Sequence, residues 1–413
     1  MSSLVLLMGL LVLAYIGSFL AGDRRIRGFG LPSGVEYVGL GFLLGPSALD
    51  LVDRSSLQTF DPIAEVALGW VALVLGLGFG VHRRQAGRAG AKELALASLA
   101  SLVCAAAVAA PLWFAVSRWT DLRGTSRAVL VIGSALACAD TTRESVRWVT
   151  ERYGASGPVA SGVARLAECD DLVPLVLLAG CFGLGVTARL PWGMTPLGWA
   201  GATLGLGVVF GGTAALMIAR ELQADETWGT LLGVAVLCSG ITSRLGLSTL
   251  SAMFVMGITL AIVSGHRAPL LAMVEPTERT VLHPLLLLAG ARIDLHAGSG
   301  TMAMPLVVVI VLAARALAKS LVGFAWQAGS PDARKAGPGL GLGLLSAGTA
   351  CMTIGLGLAL RFPGVGDVVL IAAAASTTLG EFIGPLSLRS ALRAAGEVAA
   401  PDAPVPDAPV EGA

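Results

Sequence analysis

The sequence predicts an all-α membrane protein that crosses the bilayer many times. Of its 413 residues, 55% are hydrophobic and only 13% are charged, and the mean hydropathy is +0.79. Glycine is abundant, with 54 residues, and small residues let lipid-embedded helices approach one another closely. Apolar runs of about 20 residues, long enough to cross a bilayer as a helix, recur along the chain. This combination is typical of a polytopic helical protein.

The apolar runs define about thirteen predicted spans. They centre near residues 12, 41, 72, 105, 133, 173, 206, 232, 254, 286, 315, 349 and 375. Only short polar turns separate them, which predicts a single membrane domain over residues 1–393. Residues 394–413 are rich in Ala, Pro, Asp and Glu, and they are expected to form a disordered cytoplasmic tail.

The basic residues indicate how the chain is oriented. Of the 28 Lys and Arg residues, 17 fall in one alternating set of loops and 8 in the other, and the rest lie within spans. Because the richer side is cytoplasmic, we expect the N-terminus outside and the C-terminus inside, in a bacterial inner membrane. The net charge is +1 and no basic run reaches five residues, which argues against a nucleic-acid partner.

An acidic cluster lies inside the sixth predicted span. Glu168, Asp170 and Asp171 occupy an apolar run over about residues 163–183. Asp170 is about eight residues into this run, so at 1.5 Å per helical residue it lies roughly 11 Å inside the membrane. Ionisable groups at this depth mark an ion or proton path. The alternative is a span that starts at Leu172 and leaves the acids as an exposed helix cap.

Two spans are predicted to be interrupted near the bilayer midplane. The apolar part of the fifth span has only 12 residues and is followed by Asp140 and Thr141, and the twelfth span contains Ser346, Gly348 and Thr349. Interrupted helices expose backbone groups and helix ends that bind ions. If both spans break, Asp140 lies between half-helix ends, where N–H dipoles favour a carboxylate. The alternatives are a cap for an interfacial helix at Asp140 and a continuous glycine-rich helix in the twelfth span.

A weak internal repeat supports the predicted interruptions. Gly41 in the second span corresponds to Gly257 in the ninth, 216 residues later, and Asp140 corresponds to Gly348, 208 residues later. The interval covers about seven spans, an odd number, so the second half has the opposite orientation in the membrane. Carriers are often built from two such inverted halves, with the binding site where they meet.

Two cations within the eleventh span are candidate partners for the acids. Arg315 and Lys319 are four residues apart and therefore share one helix face. Arg315 lies near the midplane, and we expect its partner to be Glu168. Lys319 lies closer to the cytoplasmic end, where it either extends to the interface or neutralises Asp170. A further possibility is an ion pair between Arg165 and Glu168 on their own helix.

These motifs resemble the monovalent cation:proton antiporter family over nearly the whole membrane part. The most specific are Glu168-Cys169-Asp170-Asp171 and the closing Glu381-Phe382-Ile383-Gly384-Pro385. The others are Gly30-Leu31-Pro32-Ser33, Leu43-Leu44-Gly45-Pro46-Ser47, Glu275-Pro276, Leu288-Ala289-Gly290-Ala291-Arg292 and Arg315-Ala316-Leu317-Ala318-Lys319. The chain departs from the family pattern at both interruptions, which lack the usual proline near Asp140 and the usual Gln or Pro beside Gly348.

The resemblance implies two crossed discontinuous helices in a core domain of about residues 93–190 and 300–393. It further implies a dimerisation domain of about 1–92 and 222–299, a linking helix of about 193–221, and a homodimer. Asp171 matches the aspartate that takes either cation or proton in this family. A monovalent cation is therefore expected at Asp170 and Asp171, with Asp140 and Thr141 as further oxygen donors.

The predicted function is exchange of a monovalent cation for protons across the membrane by alternating access. Na+ and K+ are the expected substrates, Li+ is also compatible with oxygen ligands, and no cofactor is expected. Two other classes fit the residues, a carrier of an organic anion on the same scaffold and an ion channel. An enzyme is not expected, because the chain has no HExxH motif and its four histidines lie near span ends.

Overall fold

In the computed structural model, every element of the described residues is an α-helix. The structure describes residue 9 and residues 34–86, 89–187, 193–219, 224–295 and 304–398. The first predicted span, the Gly30 to Ser33 motif and residues 399–413 lie outside them. The helices are α1 (Val35–Leu44), α2 (Arg54–Thr59), α3 (Asp61–Ala86), α4 (Ala89–Trp119), α5 (Gly124–Ala137), α6 (Arg143–Arg152), α7 (Pro158–Cys169), α8 (Leu172–Thr187), α9 (Pro196–Ile218), α10 (Ala224–Leu245), α11 (Thr249–Val263), α12 (Arg267–Arg292), α13 (Met304–Gly329), α14 (Pro331–Lys335), α15 (Gly339–Gly343), α16 (Thr349–Arg361) and α17 (Val365–Ala394).

Seven helical units of the described chain are long and apolar enough to cross a membrane. They are α3, α4, the joined α7 and α8, α9, α10, α13 and α17, and α1, α5, α11 and α16 are shorter apolar helices. The prediction of an all-α polytopic membrane protein is confirmed. The number thirteen stays a prediction, because the first of those spans lies outside the described residues.

Glycines bring helix backbones together in both halves of the chain. A Cβ atom on Gly41 of α1 would overlap the Leu287 carbonyl oxygen of α12, and one on Gly257 of α11 would overlap the Leu73 carbonyl oxygen of α3. Thus α1 packs on α12 as α11 packs on α3. Both close pairs therefore use a glycine that the weak internal repeat relates, Gly41 and Gly257, while the inverted repeat itself stays a prediction.

Both predicted interruptions are present, and they cross. Residues 138–142 separate α5 from α6, and residues 344–348 separate α15 from α16. The Thr142 N–H donates to the Ser346 carbonyl oxygen at 3.0 Å, so the two non-helical segments pair with each other. We call these two segments the crossing. The alternative of a continuous twelfth span is therefore wrong.

The crossing requires small residues where its segments touch their neighbours. A Cβ atom on Gly348 would overlap the Thr142 side chain. On α17, Cβ atoms on Gly380 and Gly384 would overlap the Leu345 carbonyl oxygen and the Ser346 hydroxyl. Glycine at these positions lets the segment 138–142 and α17 lie directly against the segment 344–348.

The acidic cluster lies at a break between two nearly continuous helices. The Asp170 N–H donates to the Leu166 carbonyl oxygen of α7 at 3.1 Å, and the Leu175 N–H of α8 donates to the Asp171 carbonyl oxygen at 3.2 Å. Asp170 is 1% exposed. The acids are therefore inside a long helical unit, and the alternative of an exposed cap before Leu172 is wrong.

The end of the chain is folded for longer than its composition suggests. α17 extends to Ala394, and Glu397 beyond it is buried against α7. The predicted disordered tail from residue 394 thus overlaps a folded segment, residues 395–398, because a capping interaction described below holds that segment. Residues 399–413 lie outside the described part of the chain.

Candidate functional site

Arg315 of α13 binds the backbone of both interrupted helices. Its side chain is 2% exposed, and it donates to the Cys138 and Asp140 carbonyl oxygens, both at 2.8 Å, and to the Leu345 carbonyl oxygen at 3.2 Å. The last carbonyl groups of a helix carry partial negative charge and need partners outside the helix. One guanidinium group therefore satisfies the ends of α5 and α15 and ties the two segments of the crossing together.

Lys319 provides the second buried cation of the crossing. It lies one turn after Arg315 on the same face of α13 and is 4% exposed. Its ammonium group donates to the Ala139 carbonyl oxygen at 2.7 Å and to the Thr141 hydroxyl at 2.8 Å. The alternative that Lys319 extends to the membrane interface is therefore wrong.

Two aspartates face these two cations. Asp140 Oδ1 lies 3.7 Å from the Arg315 guanidinium, and Asp170 Oδ2 lies 3.7 Å from the Lys319 ammonium. Asp140 also accepts a hydrogen bond of 3.2 Å from the Gly348 N–H at the start of α16. Asp140 thus lies between half-helix ends as predicted, and it is not the cap of α6, whose N-cap position is Thr142.

The predicted pair between Arg315 and Glu168 is not formed. The acidic partner of Arg315 is Asp140, and Glu168 is half-buried without an ion pair among the described residues. Arg165 pairs with Glu93 of α4 at 2.9 Å instead of with Glu168. Helix rotation explains this outcome, because Glu168 and Asp170 are two residues apart and point to different sides of their helix.

Glu168 and Asp171 belong to a second, half-buried charged group beside the crossing. Glu168 lies in the last turn of α7, and Asp171 lies three residues later in the break between α7 and α8. Both lie within electrostatic range of Arg143, the first residue of α6, as does Glu278 of α12. Asp171 is thus the neighbour of Asp170 in sequence but faces Arg143 rather than Lys319.

Two buried glutamates, Glu381 and Glu397, make contacts that the sequence did not predict. Glu381 of α17 is 2% exposed and accepts a hydrogen bond of 2.5 Å from the Ser145 hydroxyl in the first turn of α6. Its position inside the last predicted span was a usable signal, because a glutamate at that depth needs a partner. Glu397 contacts the first turn of α7. It lies beyond the last apolar span, so hydropathy gave no reason to expect it to be buried.

The crossing has an unusual chemistry for a membrane interior. It brings together Asp140, Thr141, Ser346, Gly348, Thr349, Arg315, Lys319 and Asp170. Carboxylate, hydroxyl and carbonyl oxygens are suitable ligands for hard cations and acceptors for protons. Among the described residues, no three carboxylate, imidazole or thiol side chains converge as a metal cage. The arrangement therefore offers oxygen atoms and two buried cations at one place in the membrane interior.

Comparison with known proteins agrees with this geometry. The family model described as "Sodium/hydrogen exchanger, transmembrane" matches residues 10–393. Among solved structures, the sodium proton antiporter MjNhaP1 from Methanocaldococcus jannaschii at pH 8 is similar, with a TM-score of 0.68 and 16% sequence identity. The alignment covers 96% of this chain and 100% of that chain, and at this identity the likeness is one of fold. A search of curated proteins found no match.

Proposed function

The chain belongs to the sodium/hydrogen exchanger family, and from this premise we propose that it exchanges Na+ or K+ for protons at one site centred on Asp171. The observation that carries the proposal is the charge balance at the crossing. Asp140 and Asp170 each face a buried cation, whereas Asp171 is half-buried and has no ion pair among the described residues. Of these three aspartates, Asp171 is thus the one left for a proton or a cation to neutralise, with Arg143 within electrostatic range of it.

The ligands of the transported cation are proposed to be oxygens. Asp171 and Asp170 supply carboxylates, and Asp140 with Thr141 supplies further oxygens from the crossing. A hard monovalent cation such as Na+, K+ or Li+ is held by carboxylate, hydroxyl and carbonyl oxygens in this way. Arg315 and Lys319 keep the surrounding carboxylates and carbonyls neutralised, so the bound cation changes the charge at Asp171 alone.

The exchange follows from the cost of an unpaired charge inside a membrane. Asp171 is neutral when it carries a proton and charge-compensated when it carries a monovalent cation, but it is a bare anion when empty. Moving a bare carboxylate through a low-dielectric region is expensive. The protein therefore switches between its outward-open and inward-open states more easily when Asp171 carries a proton or a cation than when Asp171 is empty. A cation carried in one direction is then followed by a proton carried in the other, which couples the two movements.

Alternating access is proposed to move the site as one body. The two segments of the crossing, the helices α5, α6, α15 and α16 that they join, and α13 with its two cations all lie inside the proposed core domain of about residues 93–190 and 300–393. The proposed dimerisation domain, about 1–92 and 222–299, includes α1, α3, α11 and α12. α9 lies in the proposed linking helix, about 193–221. The hydrogen bonds of Arg315 and Lys319 make the core domain rigid across its interruptions, as this mechanism requires.

The chain is a multi-pass membrane protein, and we propose a homodimer in a cell inner membrane. The distribution of basic residues supports an N-terminus outside and a C-terminus in the cytoplasm. In this orientation α6 and α14, which carry Arg143, Arg147, Arg152, Arg334 and Lys335, lie on the cytoplasmic side. Substituted-cysteine labelling from each side of sealed vesicles tests the orientation.

Asp171→Asn is expected to abolish cation-dependent proton movement. Purified protein is reconstituted into vesicles containing a pH-sensitive dye, and Na+, K+ and Li+ are added in turn. Wild type should dissipate a pH gradient with at least one of them, and the variant should lose that response. Asp332→Asn is the matched control, because Asp332 is exposed and its one ion pair among the described residues is with Lys335 of α14. A wild-type protein that responds to no cation would refute the proposed exchange.

The apparent Michaelis constant for the transported cation is expected to fall as pH rises. The proton and the cation compete for one carboxylate. The constant therefore falls by up to about tenfold per pH unit while most of the empty sites carry a proton, and it levels off at higher pH, where most of them are deprotonated. The check is the initial transport rate against cation concentration at several pH values. A constant that stays the same throughout would argue against a shared site.

The other two function classes have specific weaknesses. An organic anion needs a cation that is free to bind it, and both buried cations of the crossing already bind carbonyl oxygens and face aspartates. A channel needs a continuous path, whereas the crossing is filled by paired segments. Single-channel currents in a planar bilayer would favour the channel.

A further inference from the structure

The end of α17 is shaped to return the chain toward α7. Gly396 adopts a left-handed conformation with φ of 76°. Its N–H donates to the Arg393 carbonyl oxygen at 3.1 Å, and the Glu397 N–H donates to the Leu392 carbonyl oxygen at 3.0 Å. This pair of hydrogen bonds is the Schellman motif, in which glycine ends a helix and reverses the chain. Glu397 is thereby aimed away from the axis of α17.

The Glu397 carboxylate caps the N-terminus of α7. Its two oxygens accept hydrogen bonds from the Val159 N–H at 2.8 Å and the Ala160 N–H at 2.7 Å, and its backbone oxygen accepts from the Ser156 N–H at 3.0 Å. The N-cap residue of α7, Gly157, provides no side-chain cap. A carboxylate here satisfies unpaired N–H groups and opposes the positive end of the helix dipole.

The surroundings of this cap fix its position. A Cβ atom on Gly157 would overlap the Glu397 side chain, so the glycine leaves the space that the carboxylate occupies. Glu397 is only 9% exposed. Val398 packs on the same apolar cluster that contains Val159 of α7 and Leu392 of α17. The cap is thus a built contact between two helices and not a surface ion pair.

We propose that Glu397 is a positioning residue for the ion site, and this inference rests on the proposed function of Asp171. α7 has 12 residues, about 18 Å of helix, and it leads directly from the capped turn to Asp170 and Asp171. A short rigid helix transmits a shift or rotation of its first turn to its last. The cap therefore sets where the two carboxylates lie relative to Lys319 and Arg143.

The test compares Glu397→Ala and Glu397→Gln with Glu151→Ala. Glu151 is an exposed acid of α6 whose one ion pair in the described part of the chain is with Arg147, so its loss controls for a change of charge. With Na+ as the probe, Glu397→Ala is expected to raise the Michaelis constant about fivefold or more, while the maximal rate per folded protein changes less than twofold. Glu397→Gln keeps the packing and one acceptor oxygen, so it folds and gives an intermediate value. Gly157→Ala displaces the carboxylate and should reproduce the effect.

A second readout does not depend on transport. Cys169 is half-buried at the end of α7 next to Asp170, and the other five cysteines are buried. The rate at which a small methanethiosulfonate reagent labels Cys169 should change at least threefold in Glu397→Ala and not in Glu151→Ala. If labelling and Michaelis constant are both unchanged, the inference is wrong. If labelling changes but wild type transports no cation, the proposed function fails and the positioning of α7 by Glu397 stands.

Discussion

Replacing Arg315 by Met is expected to lower the free energy of unfolding by about 3–5 kcal/mol and to abolish transport. The variant keeps most of the side-chain volume but leaves Asp140 as a buried, uncompensated carboxylate. It also removes the donors to the carbonyl oxygens of Cys138, Asp140 and Leu345, which end α5 and α15. Denaturation of purified protein in detergent and proton movement in vesicles measure the two effects.

Two further variants separate the buried pair from a general loss of positive charge. Arg165→Met removes an arginine whose side chain is 47% exposed and pairs with Glu93, so it should cost about 1 kcal/mol or less. Asp140→Asn added to Arg315→Met should recover part of the lost stability, because the unpaired carboxylate is then gone. If Arg315→Met is as mild as Arg165→Met, Arg315 does not hold the crossing together.

Gly348→Ala is expected to reduce transport at least tenfold and to destabilise the protein by about 1–3 kcal/mol. The added Cβ atom would overlap the Thr142 side chain and force the two segments of the crossing apart. The hydrogen bond from the Gly348 N–H to Asp140 would be lost or lengthened as a result. Transport in vesicles and the unfolding midpoint in detergent check the prediction.

The control for this substitution is Gly233→Ala in α10. A Cβ atom on Gly233 meets nothing within 4 Å, so this variant should be neutral or slightly stabilising. The compensating variant is Thr142→Gly combined with Gly348→Ala, which removes the side chain that collides and should restore part of the activity. Full activity in Gly348→Ala alone would contradict the close packing of the crossing.

The interruptions of the two helices were predictable because their causes are local. A 12-residue apolar run followed by Asp140 is too short to cross the bilayer, and the residues around Gly348 favour a break. Their correspondence across 208 residues also predicted that they belong together. The acidic cluster at Asp170 and Asp171 was identified for a similar reason, since carboxylates are rare at membrane depth.

The partners of the charges were not predictable from depth alone. Hydropathy indicates how far Arg315 lies from the membrane surface, but it does not give the rotation of α13 relative to α7. Glu168 therefore appeared as its partner, whereas the guanidinium group faces Asp140 and three carbonyl oxygens. Carbonyl oxygens are present at every residue and leave no signal in a sequence.

Composition was also a poor guide to the end of the chain. The Ala, Pro, Asp and Glu content after residue 394 predicts disorder, yet Gly396 is placed where a helix-ending glycine is expected, and Glu397 follows it. A local capping signal thus outweighs the average composition of its surroundings. What the sequence could not supply was the target of the carboxylate, which lies 238 residues earlier in the chain.

That separation has a consequence for how the protein is made. The N-terminus of α7 cannot be capped until Glu397 has been synthesised, which at 5–20 residues per second takes roughly 10 to 50 s. The N–H groups of its first turn must rely on water or on the insertion machinery during that interval. A chain that terminates just before Glu397 would leave the membrane-inserted helices in place and the α7 end unfinished. Quality control acting on nascent copies would then have a defined local defect to detect.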